Sequence, residues 1–349
     1  MPKQFMIRSF ARKALYRAAS VAWASTILVG AVAVSSPVAR AQETVPPSDT
    51  LMDVNALPPA PGLIFDVQAG EYIMFDVLIE RLLGRQYILI GEKHDNPIHH
   101  HHQAQLVDAL SQADDLNRAL VWEMFTRDQQ GALDQNWQET PIADLGPALQ
   151  WEERGWPSWH DYAPIAEAAR NNDLMMVAGN LPDGLLRPMI NDGNAVLPDV
   201  LATQLDLPEI PSDILERFNT EIADGHCNML PKNMLGGFSG VQFARDASLA
   251  HAMTDAVTID DVDGAFLIAG AMHVRQTIAV PWHLRRFDPE LEDNDIAVVS
   301  LIETDDLDDT PANIEDYAKR FGDMDDIDFM WFTNDIERDD PCKDLRIGQ

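Results

Sequence analysis

Tyr87-Ile88-Leu89-Ile90-Gly91-Glu92-Lys93-His94-Asp95-Asn96-Pro97 is the stretch on which the fold turns. Its first four residues form a continuous apolar run rather than an alternating one, the pattern of a strand buried on both faces of a parallel sheet. Gly91 closes the run, and a polar segment comes next. Asn96 then suits a helix N-cap and Pro97 the first helical position. Leu106, Val107 and Leu110 continue at helical spacing, so the helix is expected over Pro97–Ser111. Strand, polar turn and helix in that order make the first half of a βαβ unit.

Beyond this stretch, continuous apolar runs recur at Ala119–Trp122, Leu174–Ala178, Ala265–Ala269, Ala297–Leu301 and Phe329–Phe332, with an Ala-rich helical pattern at Asp161–Arg170. This rhythm predicts an α/β fold, a mainly parallel sheet flanked by helices. Residues 183–263 break it. They hold no strand pattern but several helical ones, such as Pro211–Glu221 and Leu235–Ala256, and are expected to form a smaller inserted α-helical subdomain. The α/β domain would then comprise residues 62–182 and 264–349.

The ends carry separate signals. Residues 1–41 contain six cations and no acid, an apolar run from Val21 to Val34 and the small-x-small triplet Ala39-Arg40-Ala41. These are the three parts of a secretory signal peptide cleaved near Ala41. A periplasmic or secreted, soluble protein is expected, joined to its leader by a linker over residues 42–61. No cysteine comes after the apolar run to take a lipid anchor. The formal charge of −32 becomes −38 without the six cations of residues 1–41. A field of that sign repels nucleic acid and anionic membranes. The acids concentrate between Glu303 and Asp344, a stretch expected to form solvated loop and helix faces. Cys227 and Cys342 are the two cysteines; export permits a disulfide between them, but two cysteines alone do not establish one.

The residues just beyond the apolar runs point to the site. Glu92 and His94 come after the first run, Glu123 after the second, Asn180 after the third and His273 after the fourth. In open α/β sheets ligands bind beyond the carboxyl ends of the strands, so these side chains are expected to share one pocket. Two carboxylates and two imidazoles, Glu92, His94, Glu123 and His273, could hold a divalent metal such as zinc or act as general acid and base without one. The chain lacks a Gly-rich phosphate loop, a G-x-S-x-G elbow, C-x-x-C and H-E-x-x-H. The run His99-His100-His101-His102 lies just inside the first helix, where His99 and His102 share a face.

Gly91-Glu92-Lys93-His94-Asp95-Asn96-Pro97 with His99-His100 and Gln103 resembles the opening motif of the ChaN-like haem-binding proteins, which belong to a wider group with the erythromycin esterases and Tiki/TraB proteins. The resemblance continues in order through Glu123-Met124-Phe125, Trp159-His160-Asp161-Tyr162-Ala163-Pro164, Asn180-Leu181-Pro182, Gly225-His226-Cys227, Ala244-Arg245-Asp246, Gly270-Ala271-Met272-His273-Val274-Arg275 and Asp328-Phe329-Met330-Trp331-Phe332-Thr333. It implies a parallel-sheet domain with a smaller helical one. It also implies haem as cofactor, held as a face-to-face pair in a homodimer, and a role in iron uptake alongside an outer-membrane haem receptor or transporter. Haem needs an apolar slot and an axial ligand, for which Tyr, His, Met and Cys all serve. Tyr162 is the first candidate, His226 and Cys227 the second. His99 and His102 could coordinate a metal or meet the cofactor's carboxylates, and the resemblance supports His99 and His100 as cofactor-binding. Kinship with esterases implies the alternative, a hydrolase using Glu92, His94, Glu123 and His273.

Overall fold

The computed structural model describes residues 58–304, 314–339 and Cys342; the expected signal peptide, most of the expected linker and the acidic run 305–309 lie outside them. All six expected strands form: β3 (Tyr87–Glu92), β4 (Arg118–Thr126), β5 (Met176–Asn180), β6 (Gly264–Gly270), β7 (Ile296–Thr304) and β8 (Phe329–Asn334). Two short strands precede them, β1 (Ile64–Asp66) and β2 (Glu71–Ile73). The sheet runs β2-β1-β8-β7-β3-β6-β4-β5. It is parallel from β8 to β5, while β1 runs antiparallel to both β8 and β2.

The pleat sorts the strand residues into two cores. Ile88 and Ile90 of β3 and Leu120 and Trp122 of β4 face a layer built on α1 (Phe75–Leu82), α2 (Pro97–Ala113) and α5 (Trp159–Asn171), through Leu78, Leu106, Leu110 and Ile165. Tyr87, Leu89, Ala119 and Val121 face the other way, against Leu249 and Met253 of α9 (Lys232–Ala256) and Leu284 of α10 (Val280–Phe287). Both faces of the sheet are thus covered, which is why the strands read as unbroken apolar runs. Each such buried aliphatic side chain contributes about 2 kcal/mol.

Local signals set the helix starts. The Asn96 side chain accepts a hydrogen bond of 2.9 Å from the Ile98 N–H, with Pro97 opening α2, and the Ser158 hydroxyl accepts one of 3.3 Å from His160 N–H at the start of α5. Between β5 and β6 lie four helices and no strand: α6 (Asp183–Asp192), α7 (Asp199–Leu205), α8 (Ser212–Gly225) and α9. Helices α8 and α9 meet through Ile214, Phe218, Ile222 and Phe243. The carboxyl half of α9 also packs on the sheet, so this insert is continuous with the α/β layers. Among the described residues no helix is long and apolar enough to cross a membrane.

The order of connections creates the crevice. From β3 the chain moves through α2 towards β4 and β5, returns to β6 beside β3, then crosses to β7 and β8 on the other side of β3. The carboxyl ends of β3, β4 and β6 therefore open onto one place, a position that favours ligand sites.

Candidate functional site

Glu92 is the last residue of β3 and is buried, as is Glu123 in β4. The pairing register of β4 with β5 shifts between Trp122 and Thr126, just where Glu123 leaves the regular ladder. Around these two carboxylates the structure strings a chain of alternating charges. Glu92 Oε1 accepts hydrogen bonds from the Tyr162 hydroxyl (2.7 Å) and from His94 Nδ1 (2.8 Å). Its other oxygen lies 3.0 Å from His100 Nε2, at ion-pair distance but off the line of a hydrogen bond. The Tyr162 and His100 rings lie against each other with centroids 3.7 Å apart. The far side of the His94 ring, Nε2, approaches Glu123 Oε2 at 3.5 Å.

Glu123 is held from four sides. Arg245 donates to Oε1 at 2.6 Å, and His273 Nε2 lies 3.1 Å from the same oxygen. The Gly270 N–H donates to Oε2 at 2.7 Å, and His94 adds the longer approach. His273 Nδ1 in turn meets Asp246 at 2.5 Å. Asn180, at the end of β5, donates to the Glu123 carbonyl at 2.9 Å and accepts from Arg245 Nε at 3.1 Å. Gly270 leaves room for this approach: a Cβ would stand 2.8 Å from His94 Nε2 and 3.5 Å from Glu123 Oε2, so His94 would have to shift.

These contacts decide the charges. Burial raises the Glu92 carboxyl, but His100 and His94 outweigh it and hold it at about 2. Glu123 is likewise raised by burial and carried well below the usual carboxylate range by His273, His94 and Arg245. For His273 burial lowers the imidazole, and Glu123 and Asp246 push it up to about 9. His94 is raised in the same manner by Glu123 and Glu92 against its burial. Near neutral pH the cluster therefore pairs ionised Glu92 and Glu123 with a protonated His273. His94 alone among its imidazoles reaches solvent, with about a third of its side chain exposed. It can therefore exchange a proton with something outside, whereas His273 is enclosed.

The structure thus brings together Glu92, His94, Glu123, Asn180 and His273, and adds Tyr162, His100, Arg245 and Asp246. Among the described residues no three His, Cys, Asp or Glu side chains are grouped so as to hold a metal ion; the carboxylates of this set are engaged by imidazoles and a guanidinium. Glu303, at the end of β7, joins a different network with Lys93 (3.0 Å), Asn96 (2.6 Å) and Arg338 (2.6 Å).

The residues named for haem divide. Tyr162 is fully buried, its hydroxyl donating to Glu92 and within 3.1 Å of the His94 carbonyl. Burial and the Glu92 charge push its phenol far above its usual range. His99 is also buried. Its Nδ1 accepts from the Lys93 N–H (2.9 Å), its Nε2 meets the Thr333 hydroxyl (2.9 Å), and burial lowers it to about 4. His100 is enclosed between Glu92 and Tyr162. Cys227 as a thiolate ligand is corrected: its sulfur is bonded to Cys342, with Cα atoms 5.7 Å apart. His226 stands apart from all of these. It is exposed at the end of α8, its Nδ1–H donates to the Ile222 carbonyl at 2.7 Å, and the Phe238 ring meets it edge-on at 5.4 Å. Met229 is exposed beside it in the same turn.

Sequence reasoning did not place Arg245 and Asp246 in the site. Their signal was a charged pair inside the small, apolar stretch Ala244-Arg245-Asp246-Ala247-Ser248-Leu249-Ala250, where two charges need buried partners.

Residues 78–284 match the family described as haem-binding uptake, Tiki superfamily, ChaN. Among solved structures, cofacial haem binding to ChaN of Campylobacter jejuni aligns at 22% identity and TM-score 0.59, covering 77% of this chain and 95% of that one. The type III effector HopBA1 aligns at 12% identity and TM-score 0.42, covering 82% and 100%. An erythromycin esterase mutant in its open conformation aligns at 15% and 0.40, covering 69% and 77%. No curated protein matches.

Proposed function

We propose that this chain, which belongs to the ChaN haem-binding uptake family of the Tiki superfamily, is an exported haem carrier that takes its cargo on the α8–α9 turn through His226. The observation that carries the reading is the state of that imidazole. Its Nδ1–H is fixed on the Ile222 carbonyl, which leaves Nε2 as the lone-pair nitrogen on an exposed ring. A backbone acceptor on one ring nitrogen is the usual device for orienting the other towards iron. Met229 and Phe238 supply apolar surface beside it for a porphyrin. The tyrosines among the described residues offer nothing comparable. Tyr87, Tyr162 and Tyr317 are buried, and burial holds the half-buried Tyr72 phenol up at about 12. Haem bound on an exposed turn leaves one face open, which a second copy of the chain could cover, giving a cofacial pair in a homodimer.

Export into an oxidising compartment agrees with the disulfide, since such bonds persist there and are rare in a reducing cytosol. A periplasmic carrier would exchange haem with an outer-membrane receptor or transporter. Hemin titration of the chain from Gln42 onward, monitored by visible absorption and by sizing, tests the reading. A saturable Soret band with a shift to dimer is expected; no saturable band refutes it.

One observation favours a second reading. His94 touches two buried, ionised carboxylates and also solvent, an arrangement suited to proton transfer in ester hydrolysis without metal. Turnover of a nitrophenyl ester that is lost in His94→Ala would support it; equal rates in both proteins would remove it.

A further inference from the structure

The other edge of the sheet holds a cleft of about 1330 Å³, bounded by α1 and α10 at the amino ends of β7 and β8. That exceeds what a drug-sized ligand requires. Four arginines line it, Arg81, Arg85, Arg285 and Arg286, in a chain with 25 cations against 57 acids. Four aspartates line it too, so the balance depends on which charges are already engaged.

On the acidic side, Asp66 is held by Arg81 and by the Ala69 N–H. Asp328 accepts from the Val298 N–H and from Gln276, each at 2.7 Å. Asp325 is exposed, and Asp293 is fully in solvent. On the basic side, Arg81 is neutralised by Asp66 and Glu71, and Arg286 points at the Leu205 and Asp206 carbonyls. Arg85 and Arg285 differ. Arg85 donates to the Asn294 side chain and the Arg81 carbonyl. Arg285 donates to the Gln276 amide and to the carbonyls of Gln276 and Pro281, and its nearest carboxylate among the described residues is Asp293, at 3.8 Å. Among the described residues both guanidiniums are oriented by neutral acceptors; Arg285 has only the solvent-exposed Asp293 as an ion partner, and no carboxylate pairs with Arg85. Arg85 is tied to Asn294 and Arg285 approaches the adjacent Asp293, which places both at one part of the cleft wall. Trp282 and Met324 add half-buried apolar surface to its wall.

We infer that this cleft is a binding site for an organic anion, with a carboxylate or phosphate seated between Arg85 and Arg285 and an apolar body lying along Trp282 and Met324. The planar donor fork of arginine fits both acidic groups. The site is separate from the Glu/His cluster, which opens at the carboxyl ends of the strands.

The test uses the intact protein and 8-anilino-1-naphthalenesulfonate, an anion on an aromatic body. One saturable fluorescence rise is expected. Arg285→Gln should weaken it about 5-fold or more, and Asp293→Asn, at a solvent-exposed side chain, should tighten it about 2-fold, both effects shrinking with added salt. Arg85→Gln should match Arg285→Gln if it folds; the Asp293 variant keeps the test open if it does not. Displacement of the probe by hexanoate identifies carboxylates as the ligand chemistry, and by hexyl phosphate, phosphates. Displacement by neither, or one affinity shared by wild type, Arg285→Gln and Asp293→Asn, overturns the proposal.

Discussion

Removing only the Tyr162 hydroxyl, as Tyr162→Phe, separates a structural role of this residue from one in iron binding. The ring stays against His100 and 4.8 Å from Trp151, so packing is conserved while the hydroxyl's bond of 2.7 Å to an ionised, buried carboxylate and its longer contact of 3.1 Å with the His94 carbonyl are lost. Hydrogen bonds to charged groups are worth about 1.5–3 kcal/mol, and Glu92 is buried. A loss of about 2–3 kcal/mol at pH 7 is expected from urea unfolding monitored by tryptophan fluorescence. The pH dependence carries a sign. Glu92 is depressed in the folded chain to about 2, so its stabilisation is present above the ordinary carboxylate value and is lost as pH falls towards 2. Deleting a donor raises the folded value. The gap between wild type and variant should therefore be constant above about pH 4.5 and narrow below it. A loss under about 0.5 kcal/mol at pH 7 would refute the reasoning, as would a gap that widens in acid.

Single contacts set three further outcomes. Gly270→Ala places a methyl 2.8 Å from His94 Nε2 and should cost about 1–3 kcal/mol, with the His94 imidazole proton resonance displaced in NMR spectra; an unchanged unfolding curve and spectrum would contradict the close approach. Cys342→Ser opens a bridge between residues 115 apart, for which loop entropy gives a loss of about 5 kcal/mol as an upper figure; calorimetry should show a lower Tm, and the wild type with reductant should show the same Tm as the variant. Asp246→Asn removes the carboxylate at His273 Nδ1, an atom that the Gln242 amide also meets at 3.0 Å, so the His273 imidazole should titrate well below about 9 when monitored by NMR; an unshifted titration would assign the raised value to Glu123 alone.

The strands were legible because both faces of the sheet are covered, which makes each one an unbroken apolar run, as at Tyr87–Ile90. The exceptions are β1 and β2. Ile64-Phe65-Asp66 and Glu71-Tyr72-Ile73 are three residues each, too short for periodicity, and they pair antiparallel at the edge, where polar residues are tolerated. In the site, Glu92, Glu123 and His273 were legible from their place after strands. Tyr162, Arg245 and Asp246 arrive from helices α5 and α9 at sequence distances of 70, 122 and 27 residues from their partners, and no local pattern encodes such a meeting. The disulfide is of the same kind: residues 227 and 342 are joined by the fold, and their bond decides that Cys227 is not an iron ligand.

The most direct measurement is the hemin titration of His226→Ala beside wild type and Tyr162→Phe. His226 is exposed, with its Nδ1 held on the Ile222 carbonyl, so its loss should leave the fold intact while weakening hemin by about 10-fold or more and moving the Soret band; Tyr162→Phe should titrate as wild type does. Equal hemin spectra and affinities for His226→Ala and wild type, or loss of binding in Tyr162→Phe alone, would contradict the account.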